Sequence, residues 1–136
     1  MKNLFLIFLI TTLFLPLSLF ATENAELPIY TEQQTSFLIT AEQPQFIIKL
    51  KSNPTTGYSW FLKKYASRYL QALAHRFQGP DTKMLGAPGY ELWTFKMKPA
   101  AFVVPLRTSL SFAYLRPWEK NEPSPSLVFW ISTKGK

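Results

Sequence analysis

For acid–base chemistry, this chain of 136 residues offers only one histidine, His75, and one aspartate, Asp81. A Ser-His-Asp system would have to use that pair, and no Gly-x-Ser-x-Gly elbow is present to hold the nucleophile. Two carboxylates for glycoside hydrolysis could be drawn from the glutamates, but no spacing singles out such a pair. The chain has no cysteine, which removes thiol nucleophiles, thiolate metal ligands and redox motifs together. An enzyme is therefore not expected, nor a cofactor or metal. The residues whose types and spacing do suggest chemistry are suited to recognition. They fall in three short stretches: Asn53-Pro54-Thr55-Thr56-Gly57-Tyr58, Gly86-Ala87-Pro88-Gly89 and Arg116-Pro117-Trp118.

Each stretch has two physical readings. In the first, Pro54 fixes φ and pushes Asn53 toward an extended shape. Gly57 permits a positive φ where the chain turns back, and the two threonines bring stiff χ1 angles to the tip. A rigid tip of this kind loses little entropy on docking. The same residues also suit a long hairpin whose Asn and Thr satisfy only their own backbone. In the second stretch the two glycines present backbone rather than side chains, and a plain turn is the simpler reading. In the third, an Arg and a Trp held by a Pro have the composition of an interface hot spot. They equally suit a Trp folded back onto the fold with the Arg stacked on it.

The elements that must position these stretches read as β-strands, because the apolar pattern alternates and no long segment has a helical period. The strands expected are SFLIT at 36–40, QFIIKLK at 45–51, SWFLKKY at 59–65, YELWTFKMK at 90–98, RTSLSFAYL at 107–115 and SLVFWIST at 126–133. LQALAHRFQ at 70–78 suits either a strand or a short helix. Phe46, Ile48 and Leu50 share one face, as do Trp93, Phe95 and Met97, and Leu110, Phe112 and Tyr114. Trp60, Trp93 and Trp130 are expected in the core. About seven strands with a turn signal every ten or so residues argue for an antiparallel β-sandwich. Successive strands alternate in direction, so the three recognition stretches fall in connections at one common end.

Residues 1–21, MKNLFLIFLITTLFLPLSLFA, have the layout of a secretory signal: one Lys, an apolar run and a small residue at the cut. An uncleaved membrane anchor is the alternative, since the apolar run is long for a signal. Residues 22–34 read as a partly disordered lead-in, and 35–136 as the domain. Without residues 1–21 the chain has 115 residues, with 14 basic and 8 acidic side chains, enough for one domain with a real core. The basic side chains are scattered, so nucleic acid is not an expected partner. The chain is expected to be exported, to a periplasm or beyond the cell, free of the membrane once the signal is gone, and monomeric by default.

Taken together, NPTTGY followed closely by Trp60, the Gly86–Gly89 stretch and RPW resemble, in order and separation, the three loops of the chagasin-type inhibitors of papain-family cysteine peptidases. The resemblance runs roughly from residue 36 to residue 133. The second loop departs from the family pattern, because Pro88 stands where Gly is usual and removes an N–H. The resemblance implies an immunoglobulin-like sandwich that wedges its loops into a peptidase cleft, reversibly and in competition with substrate. Asn53, Pro54, Thr55, Thr56, Gly57 and Tyr58 would form the central loop, with Thr55 and Thr56 between the peptidase's catalytic Cys and His. Gly86 and Gly89 would lie along one side of the cleft. Arg116, Pro117 and Trp118 would pack on the other. A secreted sandwich that binds carbohydrate or another protein through the same loops is the competing reading.

Overall fold

The computed structural model describes residues 26–119 and 123–135; the expected signal segment, residues 1–21, lies outside them. Eight strands follow in order: β1 Ile29–Tyr30, β2 Ser36–Ile39, β3 Gln45–Ser52, β4 Ser59–Tyr65, β5 Leu70–Gln78, β6 Gly89–Met97, β7 Leu106–Leu115 and β8 Ser126–Thr133. They form two four-stranded sheets, ordered β1-β3-β6-β5 and β2-β8-β7-β4, packed face to face as an immunoglobulin-like sandwich. Among the described residues every proline lies outside the strands, where its missing N–H breaks no ladder bond.

The alternating pattern produces the core directly. Phe46, Ile48 and Leu50 of β3, Phe95 and Met97 of β6, Leu110 and Phe112 of β7, and Phe129 and Ile131 of β8 are all essentially inaccessible. Phe95 stacks on Phe46 within one sheet, with ring centroids 5.6 Å apart. It meets Phe112 of the other sheet edge-on at 6.3 Å. Each such side chain contributes about 1.5–3 kcal/mol through burial.

Residues 70–78 are a strand. Their Ala, Leu and Gln favour a helix locally, but β5 pairs with β6 from Leu70 opposite Met97 to Gln78 opposite Tyr90, and tertiary pairing overrides weak propensity. This ladder is interrupted by a bulge between Ala72 and Ala74. A second bulge lies between Leu62 and Lys64 of β4.

Pairing at the N-terminal side departs from the antiparallel expectation. β1 runs parallel to β3, and β2 parallel to β8. β1 falls within the stretch read as a loose lead-in, where two residues are too few to show a period. That stretch is fastened by side chains: Tyr30 stacks on Phe37 with centroids 3.6 Å apart, and the Lys51 N–H donates to Glu32 Oε1 at 2.9 Å.

Trp130 corrects the core assignment. It is 43% exposed on the outer face of β8, with the Arg107 guanidinium 4.9 Å from its ring. Phe129 and Ile131 already occupy the inward phase, and successive strand residues point to opposite faces. Trp93 is partly buried against the core, and Trp60 is buried. Trp130→Ser is accordingly expected to lower stability by no more than about 1 kcal/mol, read as a small shift in the thermal unfolding midpoint.

The register brings three connections to one end. Ser52 faces Gly89, Gln78 faces Tyr90, and Ser59 faces Leu115. The β3–β4, β5–β6 and β7–β8 loops therefore leave the sandwich side by side.

Candidate functional site

The β3–β4 loop is a short, internally bonded arch. Asn53 is extended at φ −128° and ψ 86°, as a residue before proline must be, and Pro54–Thr56 form one turn of 3₁₀ helix. Thr56 N–H donates to Asn53 O at 3.1 Å, and Gly57 N–H to Pro54 O at 2.9 Å. Gly57 then reverses the chain at φ 81°, a left-handed conformation that a Cβ would strain. Thr55 Oγ1 donates to Asn53 Oδ1 and Thr56 Oγ1 to Asn53 O, each at 2.6 Å. Both threonines are exposed, yet their hydroxyl protons are committed inside the loop. The tip therefore offers methyl groups and backbone, held in one shape.

This arch is tied to both neighbours. On one side Asn53 Nδ2 donates to the Gly86 carbonyl at 3.1 Å. On the other, Arg116 Nε donates to the Thr56 carbonyl at 2.9 Å, and its guanidinium lies 4.4 Å from the Tyr58 ring centre. Tyr58 stacks in turn on Tyr114, with centroids 5.3 Å apart, and Tyr114 Oη accepts from Asn53 N–H at 3.1 Å. Arg116 also pairs with Glu119 at 2.8 Å. Trp118 lies over Gly57: a Cβ built on that glycine would come 2.7 Å from the indole Cη2. The indole is nonetheless 67% exposed. The arginine is thus stacked on Tyr58, and the tryptophan presents most of its surface to solvent.

The structure brings together Asn53, Pro54, Thr55, Thr56, Gly57, Tyr58, Gly86, Arg116, Pro117 and Trp118, but it sets Gly89 apart. Gly89 is buried at the first position of β6, where a Cβ would stand 2.3 Å from the Gln78 carbonyl oxygen and 2.5 Å from the Phe77 ring. It permits a close approach of two strands and presents nothing at the tip. Gly86, at φ 76°, does stand exposed there, and Met84 and Leu85 beside it are 75% and 102% exposed. Those two apolar residues were missed in the sequence. An apolar pair next to the Gly86-Ala87-Pro88-Gly89 turn was the available signal.

Beneath the arch lies a buried carboxylate that the sequence reading also missed. Glu91, 3% exposed, accepts from Ser52 Oγ at 2.6 Å and from Trp60 N–H at 3.0 Å. Its other oxygen is 2.8 Å from His75 Nε2, and the His75 ring lies flat on Trp93, with centroids 3.8 Å apart. The single histidine is thus a structural partner of Glu91. No cluster of three His, Asp or Glu able to hold a metal ion occurs among the described residues. The arrangement is a blunt, braced edge of three loops carrying an Arg, an exposed Trp and a methyl-bearing tip.

Residues 40–132 match the model of the family described as Chagasin family peptidase inhibitor I42. Among curated proteins, the chain is 32% identical over 75 residues to chagasin of Trypanosoma cruzi; the match covers 52% of this chain and 64% of that protein. Among solved structures, it is similar to the cysteine protease inhibitor EhICP2 from Entamoeba histolytica. The TM-score is 0.62 at 23% identity, covering 81% of this chain and 96% of that one. It is also similar to Amebosin in solution, with a TM-score of 0.58 at 19% identity, covering 82% of this chain and 99% of the other. These two structural likenesses establish the fold.

Proposed function

The chain belongs to the chagasin family of peptidase inhibitors, and from that premise we propose that it is a reversible, competitive inhibitor of papain-like cysteine peptidases. The three loops enter the active-site cleft together. The carrying observation is the bracing of the central arch from both sides, by Asn53 to Gly86 and by Arg116 to Thr56. A convex edge fixed before binding meets a groove without first ordering itself, which removes much of the entropic cost of association.

Thr55 and Thr56 stand at the leading point. With their hydroxyl protons held by Asn53, they place methyl groups and backbone against the catalytic pair of the peptidase. Arg116 and Trp118 flank them on one side, and the loop at Gly86, with exposed Met84 and Leu85, on the other. The family is one of inhibitors rather than enzymes, and the site uses no catalytic group of its own. In this proposal the chain works in a periplasm or outside the cell, as a monomer released from residues 1–21.

Titration of the purified protein against papain tests the reading. Tight inhibition that substrate relieves is the expected result. Full peptidase activity at micromolar protein would reject it.

A further inference from the structure

The central arch begins at Asn53 and ends at Tyr58, and the residues at its two roots, Ser52 and Trp60, are held by the same atom. Glu91 Oε1 accepts from the Ser52 hydroxyl at 2.6 Å and from the Trp60 backbone N–H at 3.0 Å. We propose that Glu91 is a positioning residue for the inhibitory loop: a buried clamp that closes the base of the arch and sets the angle at which Thr55 and Thr56 are presented. The proposal rests on the inhibitory reading of that loop for its functional part, and on geometry alone for its structural part.

Three observations support it. First, β3 and β4 belong to different sheets, so no ladder bonds join the two roots of the loop. The carboxylate supplies that connection from a third strand, β6. Second, Glu91 occupies an inward position in phase with Trp93, Phe95 and Met97. An apolar side chain would serve packing there, and a buried carboxylate is costly unless hydrogen-bonded. Third, its remaining oxygen is 2.8 Å from His75 Nε2 on β5, and the His75 ring is fixed against Trp93. The clamp is therefore held from behind and cannot swing away from the loop. Ser52 is buried to 2% exposure, so water does not compete for its hydroxyl. Trp60 adds a second tie, its indole Nε1 donating to the Lys51 carbonyl at 2.9 Å.

A residue that only fills the core would lower stability throughout the sandwich, whereas a clamp acts locally. The test is amide hydrogen exchange together with papain inhibition, on the intact protein and on the variants Glu91→Ala, Glu91→Gln and Ser52→Ala. Glutamine retains an oxygen that can accept from Ser52 and Trp60. The expected result is that Glu91→Ala speeds exchange at Trp60 and across 53–58 by about 10- to 100-fold. Exchange in β7 and β8 should change much less, and the inhibition constant should rise at least tenfold. Glu91→Gln should restore most of both.

Ser52→Ala removes one hydroxyl, leaves the carboxylate in place and should give a smaller change of the same kind. It decides the matter if Glu91→Ala does not fold. Exchange at 53–60 unchanged in the folded variants, or raised equally in every strand, would overturn the proposal. Failure of the unaltered protein to inhibit papain counts against the inhibitory reading alone, because the exchange measurements still decide whether the clamp exists.

Discussion

Gly89→Ala should lower the unfolding free energy by about 2–4 kcal/mol, with a fall of roughly 10 °C or more in the thermal midpoint. The added methyl would lie 2.3 Å from the Gln78 carbonyl oxygen and 2.5 Å from Cζ of Phe77. The first of these is backbone, which cannot rotate away. The C-terminal end of β5 must therefore separate from β6 where Gln78 pairs with Tyr90. That separation carries the following loop with it and disturbs the Gly86 carbonyl that receives Asn53. Gly79→Ala is the matched control. Nothing lies within 4 Å of its Cβ position and its φ is not positive, so it should be neutral to within about 0.5 kcal/mol. Equal midpoints for the two variants, by circular dichroism, would show that the close approach at Gly89 is not a constraint.

Trp118→Ala should have the opposite profile. Large aromatic anchors of a docking surface can contribute about 2 kcal/mol or more to binding, so the inhibition constant against papain should rise about 30-fold or more. Stability should change by no more than about 0.5 kcal/mol, because the indole is 67% exposed in the free protein. Its truncation also leaves the Arg116–Thr56 bond and the Arg116–Tyr58 contact in place. An unaltered inhibition constant would remove Trp118 from the binding surface. Together the two variants separate what shapes the loops from what the loops present.

Much of this was legible in the sequence, for a specific reason. Period-2 alternation reports which residues must leave water, and it placed Phe46, Ile48, Leu50, Phe95, Met97, Leu110 and Phe112 inside, where they are. Alternation in chain direction placed the three loops at one end. Four things escaped this reasoning. β1 is too short to carry a period, and its pairing partner lies some eighteen residues away in parallel register. Trp130 was expected in the core, although the phase set by Phe129 and Ile131 already pointed it outward. Glu91 and Ser52 continue the inward phases of β6 and β3, but alternation alone does not show that a polar residue there has buried partners. Gly89 was read as part of an exposed loop, because adjacency in sequence to Gly86 conceals that the strand has already begun. Trp130 aside, the missing information was a contact between residues distant in the chain.

The outer strands of the two sheets have a consequence for life at high concentration. An exposed edge ladder can recruit another chain and seed fibrils. Here β1 and β2 are only two and four residues long, and the longer edges β4 and β5 are each interrupted by a bulge, with Lys63, Lys64 and Arg76 along them. None offers a long, flat, uninterrupted row of donors and acceptors. A protein without disulfides thus gains resistance to self-stacking from the irregularity of its borders.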